Sequence, residues 1–188
     1  MGMEIGKTLY VTSREAWRAW LAEHYQSEAE IWLVYYRKES GKPRIPYNTA
    51  VEEALCFGWI DSIIKKLDEP RSAQRFSPRR ARSNYSQTNI ERLRRLVGQG
   101  KVMPEVQVGL GDLLEREFEY PADIMAALQS NGIAWQNFQT YSGSYRRIRV
   151  AYVETARDRP GEFEKRLANL VKKSEQDKQF GFGIEAYY

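Results

Sequence analysis

One cysteine and one histidine are all that this 188-residue sequence offers to thiol or imidazole chemistry. Cys56 has no partner for an intramolecular disulfide, and with His24 alone it cannot assemble the Cys/His sets of structural zinc, so no metal and no cofactor is expected. Long apolar runs are missing as well: the longest, Ile31 to Tyr36, falls far short of the roughly 20 residues needed to cross a bilayer. The opening MGMEIGK has no apolar signal-peptide core, and Gly6 stands where a myristoylation signal wants Ser or Thr. A cytoplasmic protein without a membrane span is the expectation. Phosphate-cradling glycines are lacking too, since Gly41-Lys42 has neither the earlier glycine nor the following Ser/Thr of a P-loop.

What is present suffices for folding. Apolar residues make up 42% and aromatics 13% of the chain, enough to bury one good core, or a smaller core with a helical annex. The net charge of +4 is unevenly spread, because Lys65 to Lys101 carries 11 Lys and Arg against three acids while the remainder is net acidic. One basic segment on a mildly acidic body speaks to partners rather than to fold.

Periodicity divides the chain into elements. Trp17, Trp20, Leu21 and Tyr25 at helical spacing predict a helix over Arg14 to Tyr25, with Thr12 or Ser13 as N-cap. The β-branched and aromatic run at Ile31 to Arg37 predicts a strand. Tyr47 to Phe57 follows as a helix, with Thr49 and Glu52 as a capping box and Gly58 in the left-handed position beyond its end. Trp59 to Leu67 and Ala73 to Phe76, around the turn at Asp68 to Arg71, predict an antiparallel hairpin. Beyond Pro78 the pattern is helical throughout, with expected helices from Ser86 or Asn89 to Gly98 or Gly100, then over Pro104 to Arg116, Pro121 to Ser130, Ala134 to Tyr141, Ser144 to Arg157 and Gly161 to Glu175. The expected architecture is therefore α+β, with a small antiparallel sheet and helices over residues 1–83 and an all-helical module over 84–188, packed as one compact unit. For the aromatic tail QFGFGIEAYY, docking on the body, docking on a second copy in a homodimer, and disorder stand as alternatives.

Several runs carry a family resemblance. EEALCFGWID (Glu52 to Asp61), LDEPR (Leu67 to Arg71), QRFSPRR (Gln74 to Arg80) and Tyr85-Ser86, with TSREAWRAWL and EIWLVYYRKESGKP before them, are similar to the bacterial YdeI/OmpD-associated, or bacteriocin-protection, family. PADIMAAL and Ser144-Tyr145-Arg146-Arg147 resemble the helical module of that family. The resemblance spans about Thr12 to Ala156; after it, Asp158-Arg159-Pro160-Gly161-Glu162 departs from the pattern. It implies an α+β first half, a helical second half and a part in antimicrobial-peptide protection or stress response. It brings no established reaction or ligand.

Candidate site residues concentrate in the basic hairpin. Asp61 stands inside a predicted strand between Trp59 and apolar Ile63 and Ile64, where a carboxylate needs exposure or a partner. Arg75 or Arg79 on the returning strand is the expected partner, in a structural ion pair or in an Asp-Arg pocket. The leading expectation is a non-enzymatic protein binding a small anionic ligand or a protein partner through Trp59, Asp61, Arg75, Phe76, Arg79, Arg80 and Tyr85, with no catalytic residue assigned. Two alternatives stay open. One is an enzyme acting on a small anionic substrate with Asp61 as acid or base and Arg75 as clamp. The other is a nucleic-acid binder using Lys65 to Lys101, with Arg92, Arg94 and Arg95 on the outside of their helix, ranked lower because the rest of the chain is acidic. Cys56, near a helix end, is expected buried and inert, His24 exposed or complementing a helix end, and Glu52 and Glu53 in cap and surface roles.

Overall fold

The computed structural model describes residues 4–80 and 83–188; the first three residues of the amino-terminal reading and residues 81–82 of the basic segment lie outside the described residues. The chain forms two compact units, one of Met1–Tyr85 with Arg92–Leu114 and the other of Ser86–Glu91 with Glu115–Tyr188. Both are built as an α+β protein requires, with the described strands confined to the first unit.

The first unit is organised by its sheet. Strands β1 (Thr8–Leu9), β2 (Ile31–Tyr36), β3 (Trp59–Asp68) and β4 (Arg71–Pro78) lie in the order β1-β2-β4-β3. The β3/β4 hairpin and the β2/β4 pair are antiparallel, as the alternation of residues predicts, whereas β1 runs parallel to β2. The sheet is thus mixed rather than antiparallel throughout. Two residues are too few for periodicity to reveal, which is why β1 has no signature in the sequence. One face of the sheet, with Ile31, Leu33, Trp59 and Phe76, packs on helices α1 (Arg14–His24) and α2 (Tyr47–Cys56) through Trp17, Leu21, Ala50, Val51 and Leu55. Indole hydrogen bonds pin this core: Trp17 Nε1 donates to the Ala50 carbonyl and Trp59 Nε1 to that of Tyr25, each over 3.0 Å. A buried indole N–H left without an acceptor would cost the full desolvation of the donor.

Ser13, one of the two expected residues, caps α1 by accepting from Ala16 N. Helix α2 starts instead behind Pro46, whose φ of −60° leads straight into Tyr47 with no side-chain cap. The Thr49/Glu52 capping box is therefore not formed, because Thr49 is already in the first turn. Gly58 takes the expected left-handed conformation, with φ of 72°.

The freed acids do something else. Glu53, 1% exposed, receives Arg14 at 2.5 Å and Arg18 at 2.8 Å. Glu52 receives Arg14 at 2.9 Å and also Arg95. The expected cap and surface roles give way to an ion network that ties α1 and α2 to helix α3 (Gln87–Gly98). The carboxyl-terminal part of α3 and helix α4 (Pro104–Leu110) complete this unit. Helix α4 stops short of the expected Arg116 because Gly111 turns to φ of 53°.

In the second unit, α5 (Ala122–Gln129), α6 (Gly132–Thr140), α7 (Gly143–Glu154) and α8 (Pro160–Glu175) enclose Ile124, Leu128, Phe138, Tyr145, Ile148, Val153 and Leu170. Asn131 and Ser142 cap α6 and α7 by accepting from Ala134 N and Tyr145 N. The aromatic tail packs into this same core through Ile184 and Tyr187, as the first of its three alternatives has it. Glu91, from the first turns of α3, is gripped by Arg147 at 2.6 and 2.8 Å and by Ser144 at 2.7 Å. Among the described residues no helix is long and apolar enough to cross a membrane.

The Glu53 network yields a measurable expectation. Replacing Glu53 with alanine strands two guanidiniums, but Arg14 and Arg18 are about one-third exposed and can turn to water. The loss should fall below the 3–5 kcal/mol of a fully buried pair, at about 2 kcal/mol. An unchanged urea midpoint for Glu53→Ala would show the network to be ornamental.

Candidate functional site

One buried cation stands out in the second unit. Arg149, on the apolar side of α7 beside Ile148 and one turn from Tyr145 and Val153, is only 6% exposed. Its neighbours are rings rather than carboxylates. The guanidinium carbon lies 3.9 Å from the centroid of Phe180 and 4.4 Å from that of Tyr152, close enough for strong cation–π attraction on both. Among the described residues no acceptor reaches its guanidinium, and Nε is sealed off without a partner. Burial pushes its pKa down from the ordinary arginine range, and the charge of Arg166 pushes in the same direction.

That guanidinium lines a cleft of about 700 Å³, in the size range of small-molecule sites. Helix α8 supplies Glu162, Lys165, Arg166 and Asn169, α7 adds Ile148 and Tyr152, and the tail contributes Phe180 to Phe182 with Ile184. Arg166 lies 4.0 Å over the same Tyr152 ring and donates Nε to Glu162 at 2.7 Å and Nη1 to the Tyr152 carbonyl at 2.9 Å. The hydrogen bond from Arg166 holds the Glu162 carboxyl below the usual range, so it stays ionised at neutral pH and remains bound to that arginine. The cleft therefore carries a positive excess from Arg149 and Lys165.

The tail wall is fixed from behind. Tyr145 Oη accepts from Phe180 N at 2.9 Å, which sets the Phe180 ring against Arg149. Gly181, at φ of 132°, passes so close that a Cβ there would meet Ile184 at 2.6 Å and Arg149 Nη1 at 3.0 Å. Only glycine lets the backbone run past the guanidinium.

The residues expected from sequence all lie in the other unit and do not converge on one site. Trp59 and Phe76 are 1% and 0% exposed, spent on the core. Asp61 accepts from Tyr47 Oη at 2.6 Å and from Gln74 Nε2 at 3.3 Å, while Arg75 pairs with Glu30 at 2.6 Å. The expected Asp61–arginine pair is not formed. The pleat explains why: Asp61 stands opposite Phe76 in register, so both point to the core side, and Arg75, one residue along, points to the other. Arg79 stacks on Tyr85 at 3.7 Å and donates to the Asn84 carbonyl, and Arg80 is exposed. Around Asp61, burial pushes the Tyr35 and Tyr47 phenols up, assisted by the Asp61 carboxylate.

The basic helix is corrected as well. Arg92 is buried and donates to Asn48 at 2.9 Å, Arg94 reaches the Leu114 carbonyl at 2.8 Å, and Arg95 pairs with Glu52. These arginines turn inward because α2 and the segment after α4 present acceptors to them. Cys56 is buried, as expected, with its thiol pushed up to about 11 by burial and by the charge of Glu53. His24 lies with its ring 4.8 Å from that of Trp20. Arg149 itself escaped notice, although its spacing from Tyr145 and Tyr152 marks a cation inside an apolar stripe.

Residues 9–108 match a family model described as a domain of unknown function, DUF8412. Residues 117–177 match one described as Bacteriocin-protection, YdeI or OmpD-Associated. The helical walls of the cleft fall inside the second match and the Phe180 to Ile184 wall beyond it. No curated protein and no solved structure matches the chain.

If Arg149 is held for a ligand rather than for the fold, removing its charge should not harm the free protein. Desolvating a lone charge costs several kcal/mol, against about 2 kcal/mol returned by each cation–π contact. Arg149→Met, which keeps most of the packing, is expected to melt no lower than the parent in differential scanning calorimetry. A large drop in Tm would make Arg149 a structural strut.

Proposed function

The chain belongs to the DUF8412 family, whose domain has no known function, and from that premise we propose that the protein is a non-enzymatic binding protein that holds a small anion in the α7/α8 cleft. The YdeI or OmpD-associated segment over residues 117–177 carries an association with bacteriocin protection; in this reading, protection is a cytosolic role that follows from binding.

One observation carries the proposal: Arg149 is 6% exposed, faces the cleft and has rings but no anion against it. A buried charge of this kind is stabilised most by a counter-charge, and a carboxylate or phosphate would add charge-assisted hydrogen bonds that the rings cannot make. Lys165 and Asn169 extend the donor set. Glu162 does not supply a general acid. A general acid at neutral pH needs a raised pKa, and Glu162 is shifted the other way. The enzymatic alternative loses its clamp, since Arg75 faces Glu30 rather than Asp61. The nucleic-acid alternative loses its surface, since Arg92, Arg94 and Arg95 are engaged within the first unit.

Thermal-shift titration with inorganic phosphate, pyrophosphate and acetate tests this reading. At about 100 times Kd a ligand that binds only the folded state adds about 2.7 kcal/mol, a shift of several degrees, and Arg149→Met should remove it. An anion response of equal size in Arg149→Met would place binding elsewhere and sink the proposal.

A further inference from the structure

We propose that the anion held by Arg149 carries a flat apolar group, in the simplest case an aryl ring, and that Phe182 is the surface on which this group packs. The inference rests on the anion-binding reading and narrows it to a ligand class.

Phe182 lines the cleft and is 89% exposed, yet it belongs to a tail that is otherwise tied down. On one side, Phe180 is fixed by Tyr145 Oη; on the other, Ile184 and Tyr187 are buried in the core. Tyr188 Oη donates to the Gly181 carbonyl at 2.9 Å, and Gly183 N donates to Glu185 at 3.1 Å. The flanking glycines hold φ of 132° and 76°, conformations that L side chains rarely adopt. The backbone thus presents Phe182 in a defined place while leaving its ring bare, an arrangement that burial of Phe182 itself does not explain.

Reach links this ring to the charge. A Cβ on Gly181 would lie 3.0 Å from Arg149 Nη1, and successive Cα atoms are about 3.8 Å apart. The Phe182 Cα is therefore within about 8 Å of the guanidinium nitrogen, and both side chains line the same cleft. A hydrated inorganic anion would engage Arg149 and leave Phe182 in water, whereas an anion carrying a ring on a short linker would satisfy both. Ile148, Phe180 and Ile184 supply further apolar wall to the same cleft.

Isothermal titration of the full chain compares phenyl phosphate with inorganic phosphate, and 3-phenylpropionate with propionate, so that phosphate and carboxylate heads are read separately. The readout is the affinity ratio within each pair. Aryl members should bind about tenfold more tightly in at least one pair, the gain expected of an aromatic contact with its buried area. Phe182→Ala should bring that ratio close to one, and Arg149→Met should abolish binding of both members. Because Phe182 makes little contact in the free protein, the variant should melt with the parent, which circular dichroism checks. Equal affinities within both pairs, or an aryl preference that survives Phe182→Ala, overturn the aryl proposal and leave anion binding standing. Absence of any Arg149-dependent binding removes both readings together.

Discussion

A guanidinium in a nearly water-free position, with no counter-anion among the described residues, is an unfavourable thing for a fold to contain, and the surroundings of Arg149 answer to that cost. Cation–π attraction to Tyr152 and Phe180 offsets part of the desolvation, but a ring face gives no hydrogen bonds to the five N–H groups of arginine. The supports behind those rings follow from the same need. Tyr145 holds Phe180, Gly181 makes room for the guanidinium, and Ile184 and Tyr187 anchor the tail that carries them. Loosening any of these parts would let water in and turn the proposed anion site into an ordinary surface arginine.

The first unit uses arginine in the opposite way. Arg14, Arg18 and Arg95 close on Glu52 and Glu53, and Arg75 closes on Glu30. Arg92 and Arg94 end on an amide and a carbonyl oxygen. In a segment that looks strongly basic when its charges are counted, several arginines are thus engaged by acids and neutral acceptors from other parts of the chain. This internal pairing, rather than the net charge, decides what the segment can attract, because a phosphate backbone is bound by cations left to release counterions.

The legible parts of the sequence were those with a period. Strands β2, β3 and β4 and the helices carry their alternation or 3.6-residue spacing openly, and Gly58 announced the end of α2. Pairings between distant residues have no such signature. Nothing local to Glu53 says that Arg14 and Arg18 will meet it, and nothing local to Asp61 says that a tyrosine, rather than an arginine, will. The register of β3 against β4 settles the latter, and that register also contains irregularities between Asp61 and Ile64 that no alternation pattern exposes. Arg149 was hidden by the sorting rule itself: a periodicity reading assigns arginine to the wet side of a helix, and it fails at a residue held in the dry side for a purpose.

Why the cleft does not neutralise itself is the remaining question, because an acid is at hand. Glu162 lines it, and a contact with Arg149 would relieve the buried charge. Arg166, however, sits one turn along α8 from Glu162, in favourable i,i+4 order, and takes that carboxylate at 2.7 Å. Arg166 is itself held by the Tyr152 and Thr155 oxygens and by the Tyr152 ring, so the pair does not swing freely towards α7. The same ring thus attracts two cations, but among the described residues the acid lining the cleft is committed to the outer one. In the proposed reading, Arg149 is left for an anion from solution. Were Glu162 free to reach it, the cleft would be a closed ion pair with no reason to open.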